Sequence, residues 1–263
     1  LTNLSAAFTV LAILCAAFSV YIFGTSLGSG SQQQRTDMAA RLASSRVEAV
    51  IEQHREIARR LATRVAEEGL LAEAKAKARG TLGTTLAPAL PQVMKLRLIP
   101  VGSRDTDASS VPELSFACLD LIARSERNEP VPNAELHMPG TPSAHIDVLA
   151  PVPGPPDKPA AVGHVLLSLN PGAIRDALAT LQSTDGYAEL LQAVAGSNPL
   201  LIASGGDSSL KSGAATVNRN IAHTGWQLAV WPAPPAWTGP PWPISTRPGW
   251  SAGCSGAAAP RRR

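Results

Sequence analysis

In the segment AHIDVLAPV, His145 places an imidazole two residues before the carboxylate of Asp147. Residues two apart on a β-strand share a face. An imidazole beside a carboxylate there could bind polar groups of a ligand or help hold a metal ion. A metal ion needs a third ligand, and none follows from spacing: His137, His164 and His223 stand at no interval that a metal site uses. Cys15, Cys118 and Cys254 are equally scattered, so neither a disulfide framework nor a thiolate site is expected. Cys118 lies on an apolar helix face and reads as a small core side chain. Without a third ligand, the face shared by His145 and Asp147 reads as exposed. No metal and no other cofactor is expected.

Catalytic signatures are also lacking. There is no G-x-S-x-G elbow, Ser204 with the two glycines after it reads as a turn, and no glycine-rich loop opens a helix as a phosphate site would. No catalytic residue is named, and a non-enzymatic chain is expected. The net charge of +3 comes without a basic stripe interleaved with aromatics, which argues against nucleic acid as a partner.

The chain that carries this pair begins with an apolar run. From Leu4 to Leu27 no side chain is charged, and the first charge is Arg35. A helix rises about 1.5 Å per residue, so roughly 20 such residues cross a hydrocarbon core. Residues 1–27 therefore read as a transmembrane anchor in membrane lipid. A signal peptide cleaved near Gly24, Ser26 or Gly28 is the competing reading, and the helical stretch that follows without a break favours a retained helix. No Lys or Arg precedes the run, so charge does not set its orientation.

Residues 28–90 read as a stalk and linker. GSGSQQQ is a short polar exit, and 36–79 has strong helix composition, ended by Gly80. Val47, Ile51, His54, Ala58, Leu61 and Val65 follow the 4-3 spacing of a coiled-coil seam, which implies a homodimer through the stalk helix. Glu56 and Arg60 form an i,i+4 pair.

Residues 91–232 read as a mixed α/β domain. Met94, Leu96 and Leu98 alternate with Lys95 and Arg97 as in a half-buried strand. Ser110 to Glu113 is a capping-box pattern opening a helix with Leu114, Cys118, Leu121 and Ile122 on one face. Ile146 and Val148 head a short strand expected in AHIDVLAPV, another strand is expected at 161–170, then a helix after Asn170-Pro171, then YAELLQAV, PLLIAS, and TVNRNIAH and WQLAVW joined at Thr224-Gly225. The order strand, helix, strand, strand, strand implies one antiparallel sheet with helices on a face. Residues 233–263, rich in Pro, Trp, Gly, Ala and Arg, read as a disordered tail, with a shifted reading frame as one origin.

The run GHVLLSLN, helix, GYAELL, LLIASGG, NIAHTGWQLAVWPAP is similar to the closing half of a Cache domain, with Gly225-Trp226 before the last strand. VMKLRLIPVGS, LSFACLDLIARSE, AELHMPGTPSAHIDVLAPV and GYAELLQ together resemble the membrane-anchored N-terminal extension of long-form bacterial phosphomannomutase/phosphoglucomutase. The resemblance spans about residues 1–235. It implies an α+β fold: a transmembrane helix and long stalk helix, then a PAS-like single Cache antiparallel sheet with helices. It also implies a sensory or regulatory module on the periplasmic side of the bacterial cytoplasmic (inner) membrane, in a family serving exopolysaccharide synthesis. The mutase's phosphoserine loop and magnesium site have no counterpart in this chain. The ectodomain of a chemoreceptor, histidine kinase or cyclic-dinucleotide enzyme is the alternative. A small-molecule ligand of such a sensor would sit between the sheet and its loops, with Arg97, His145, Asp147, Tyr187 and Glu189 as candidate contacts.

Overall fold

The computed structural model describes residues 2–179, 186–213 and 215–233, with the side chains of 2–10, 17 and 20–31 left out. The tail expected from 233 onward lies outside the described residues except for Ala233. Helix α1 runs from Thr2 to Glu67. It passes through GSGSQQQ without a break, so the polar exit is helical. Among the described residues no helix is long and apolar enough to cross a membrane. Most side chains of the 1–27 run lie outside that description. Those described within it are exposed: Leu11 57%, Ile13 62%, Leu14 61% and Phe18 65%.

The other half of α1 buries a stripe. Ala40, Ala43, Val47, Ile51, His54, Ala58, Ala62 and Val65 recur at helical spacing and are all buried. They pack against this chain's own sheets and its short helix at Gly172–Leu178. The stripe expected as a dimer seam is therefore used within the chain. Its alanines let the strands approach closely, and each fully buried Val or Ile contributes about 1.5–3 kcal/mol. The opposite face carries exposed ion pairs, including the expected Glu56–Arg60 at 2.7 Å.

Helix α1 ends twelve residues sooner than its composition suggested. Gly69 adopts φ +57, Gly69 N–H donates to Ala66 O, and Leu70 N–H donates to Val65 O. This is a Schellman close, which a glycine permits and a bulkier residue resists. The chain reverses into α2 (Ala76–Leu86), which lies on β1 (Val93–Pro100).

The strands form two sheets, where one was expected. The first contains β1, β2 (Glu135–His137), β3 (His145–Val152) and β4 (Gly163–Leu169) in the order β1-β4-β3-β2, all antiparallel. The second contains β5 (Tyr187–Gln192), β6 (Leu200–Gly206), β7 (Val217–Asn220) and β8 (Trp226–Trp231) in the order β6-β5-β8-β7. The separation comes at α4 (Gly172–Leu178), which packs on β6 and α1 and carries the chain away from β4. After it, β5 pairs with β6 and β8 and leaves β4 to β1 and β3.

Helix α3 (Phe116–Glu126) covers the face of the first sheet turned away from α1. Its N-cap is Ser115, whose hydroxyl accepts from Cys118 N–H, and not the expected Ser110. Ser110 Oγ is engaged instead by Arg97 at 2.6 Å. Both faces of the sheet are thus buried, and β4 has no exposed residue along its length.

Candidate functional site

Strand alternation divides the first sheet cleanly. Ile146, Val148, Ala150 and Val152 belong to the core against α1, as do Leu96, Leu98, Val165, Leu167 and Leu169. The intervening positions point towards α3. There Arg97 of β1, Ser168 of β4, and His145 and Asp147 of β3 meet Cys118 of α3 and His137 of β2. Asp147 and Ser168 are direct cross-strand partners, as are His137 and His145.

The face expected to be exposed is closed. His145, Asp147, Ser168 and Cys118 are each 0% exposed. The reason is α3, which lies over the pair and delivers Cys118 to it. Cys118 Sγ stands 3.5 Å from His145 Nε2 and 3.2 Å from Ser115 Oγ. His145 Nε2 lies 3.5 Å from Asp147 Oδ1, while His145 Nδ1 lies 2.6 Å from the Ser143 carbonyl and donates to it. Ser168 Oγ donates to Asp147 Oδ1 at 2.7 Å, and Arg97 donates to Ser168 Oγ at 3.3 Å. His137 Nε2 is 3.6 Å from Asp147 Oδ2, and its ring stacks on His145 with centroids 5.5 Å apart. Both of those facing atoms, His137 Nε2 and Asp147 Oδ2, are buried without a hydrogen-bond partner.

The electrostatics follow from this enclosure. Burial pulls the His145 pKa down, but the hydrogen bonds with Asp147 and Cys118 outweigh it and push it up to about 10. Burial likewise opposes the Asp147 carboxylate, yet His145, His137 and Ser168 hold its pKa below the usual range. His137 goes the other way: burial lowers its pKa, and the Asp147 charge only partly restores it. Burial lowers Arg97 as well, against the pull of Asp147 and Asp107.

The arrangement is not a nucleophilic relay. A Cys–His–Asp triad needs the carboxylate on one ring nitrogen and the thiol on the other. In this chain Cys118 and Asp147 both converge on Nε2, Nδ1 is held by a backbone carbonyl, and no reacting group has access. The side chains can instead close around a small common partner.

Tyr187 and Glu189, the other two expected contacts, form a separate cluster in the second sheet. Tyr187 O–H donates to Glu189 Oε1 at 2.9 Å, and Lys211 Nζ reaches both carboxylate oxygens at 2.7 and 2.8 Å. Trp231 stacks obliquely on Tyr187, with Lys211 Nζ 5.4 Å from its ring centroid. So three of the five expected residues are brought together and two are placed apart. None of the five lines the cleft between the 138–144 turn, the start of α4 and β6.

Sequence reasoning missed Cys118, read as plain core, and His137, read as unconnected. It also missed Ser168 and Lys211. Ser168 carried a legible signal: a hydroxyl within the buried run VLLSL needs a buried partner. Cys118 and His137 carried none, because α3 and β2 reach the site only through the fold.

No family model matches the chain, and no curated protein matches it. The resemblance to the phosphomannomutase/phosphoglucomutase extension is thus without support from these comparisons. Among solved structures, the chain is similar to the ligand-binding domain of the Campylobacter jejuni chemoreceptor Tlp3 in complex with L-valine. The TM-score is 0.45 at 14% identity, over 64% of this chain and 70% of that one. The same domain in complex with 4-methylisoleucine matches with TM-score 0.46 at 12% identity, over 64% and 68%. The sensory domain of the same receptor gives 0.46 at 13% identity, over 64% and 70%. Likenesses this distant fix neither a family nor a ligand.

Proposed function

We propose that this chain is a non-catalytic sensory ectodomain held at a membrane by the N-terminal part of α1, with its sheets outside the bacterial cytoplasm. One observation carries the reading: α1 is continuous from a segment exposing Leu11, Ile13, Leu14 and Phe18 to a segment buried against β3. Exposed large apolar side chains in a row call for an apolar environment. The uncharged sequence from Leu4 to Leu27 has the length to supply a bilayer span. Displacing β3 would then move a helix that enters the membrane, the kind of small helix shift that receptors use.

A small ligand on this reading sits in the cleft of about 350 Å³ lined by Leu136, Thr141, Asn170, Arg175 and Ile202, a size within the usual range for ligand sites. Expression of the chain in a bacterium, with alkaline phosphatase fused after Ala233, tests the placement. Phosphatase activity with a carbonate-resistant membrane pellet is expected. Carbonate release into the soluble fraction, or an inactive phosphatase, would overturn it.

A further inference from the structure

We infer that Cys118, His145 and Asp147 form a closed binding site for a divalent transition-metal ion of the zinc type, with His137 as the outer partner that orients Asp147. The site goes beyond the sensory reading and stands whether or not the chain signals.

The donor set is the first observation. One thiol, one imidazole nitrogen and one carboxylate oxygen converge, all within 4.8 Å of one another and all buried. Sulfur, nitrogen and oxygen donors in that combination suit zinc and its neighbours more than calcium or magnesium, which prefer oxygen alone.

The spacing is the second. With Zn–S near 2.3 Å and Zn–N or Zn–O near 2.0–2.2 Å, the edges of a tetrahedral site are about 3.3–3.6 Å long. Cys118 Sγ to His145 Nε2 is 3.5 Å, and His145 Nε2 to Asp147 Oδ1 is 3.5 Å. The third edge, sulfur to carboxylate, is within 4.8 Å. The fourth position falls to water, since Asp147 Oδ2 faces His137.

The outer contacts are the third. A metal-bound imidazole typically donates its other N–H to a backbone carbonyl, which leaves the remaining nitrogen free to ligate. His145 Nδ1 has that contact with Ser143 O at 2.6 Å. A ligating carboxylate is itself held by hydrogen bonds. Ser168 Oγ holds Oδ1 at 2.7 Å, and His137 Nε2 faces Oδ2 across 3.6 Å. Those two atoms, buried at 3% and 0% residue exposure, have no other partner. Unpaired buried polar atoms cost free energy unless something completes the site. An ion drawing Asp147 towards Cys118 and His145 gives Oδ2 a fixed place for the His137 N–H to reach. Binding replaces the thiol proton of Cys118, and any proton on His145 Nε2, with the metal bond; those protons leave to solvent.

The site would tie α3 to β3 beneath a closed surface, so the ion enters as the chain folds. The test uses the full chain in detergent with Cys15→Ser and Cys254→Ser, leaving Cys118 as the one thiol of the three. The chain is refolded with Co²⁺ or Zn²⁺ after chelator treatment. One equivalent of Co²⁺ with a thiolate-to-cobalt charge-transfer band is expected, competed away by Zn²⁺. Cys118→Ala should abolish that band, and His145→Gln should abolish stoichiometric uptake. His137→Gln should retain one equivalent with affinity about 10–100-fold weaker. Where a variant does not fold, the parent spectrum decides alone: no charge-transfer band at saturating Co²⁺ overturns the proposal. Metal uptake in His145→Gln equal to the parent, which would be adventitious binding elsewhere, overturns it as well.

Discussion

Gln192 of β5 reaches Leu136 of β2 and bonds both of its backbone groups. Leu136 N–H donates to Gln192 Oε1 at 2.7 Å, and Gln192 Nε2 donates to the Leu136 carbonyl at 3.1 Å. The amide stands where a neighbouring strand would be, on the free edge of β2, and so links the two sheets. Trp226 Nε1 donates to the same Oε1 at 2.8 Å. Gln192→Ala leaves three buried polar groups without partners. A loss of about 2–4 kcal/mol is expected in urea unfolding followed by far-ultraviolet circular dichroism, with the denaturant slope unchanged. A loss within 0.5 kcal/mol, the range of ordinary surface changes, would show that the sheets are joined by other means.

Glu189 depends on two donors from different elements. Tyr187→Phe removes one and leaves Lys211 in place, so a modest loss of about 1 kcal/mol is expected. Glu189→Leu removes the acceptor for both Tyr187 and Lys211, and its thermal midpoint should fall below that of Tyr187→Phe. The reverse order of midpoints would show that Glu189 does not hold both donors.

His164 gives the fold an acid-sensitive point. Its ring meets Ser125 Oγ at 3.0 Å, and burial holds its pKa below the ordinary value even with Glu126 of α3 nearby. The unfolded chain takes up this proton near pH 6.5, while the folded chain resists it to lower pH. Between those points the unfolded state binds more protons, so stability is full above about pH 6.5, falls as pH drops towards the folded value and levels off below it. Thermal midpoints measured across that window should decline in the parent and decline less in His164→Gln. Equal slopes would remove His164 as the cause.

Gly205 marks the close approach of β6 to α4. A Cβ there would lie 2.4 Å from the carbonyl oxygen of Leu178, which backbone movement alone can relieve. Gly205→Ala should destabilise by about 1–3 kcal/mol in equilibrium unfolding. Gly196, with no atom within 4 Å of the added Cβ but φ +71, should show only the smaller strain cost of a left-handed residue.

Local patterns were legible where neighbours in sequence decide them. The alternation at Met94–Leu98, the hairpin around Thr224-Gly225 and the helix after Asn170-Pro171 all follow from period and turn chemistry. The stripe from Val47 to Val65 was legible as apolar, but its partner was not, because helical spacing looks the same whether a sheet or a second helix covers it. The break at Gly69 was hidden by helix-rich composition on both sides. Arg97, His145 and Asp147 were recognisable as polar residues on strand faces. Their enclosure depended on α3, and Cys118 reached them through a pairing that sequence distance conceals.

The bilayer reading of α1 can be tested on a residue the chain already carries. Cys15 is a free thiol within the apolar run and exposed on the folded protein, whereas Cys118 is buried. In a Cys254→Ser background, sealed membrane vesicles of both orientations are treated with a water-soluble maleimide that does not cross lipid. Shielded by lipid, Cys15 should stay unmodified in the vesicles and react fully once they are dissolved in denaturing detergent. Modification in intact vesicles at the rate of a free, water-exposed thiol would contradict it.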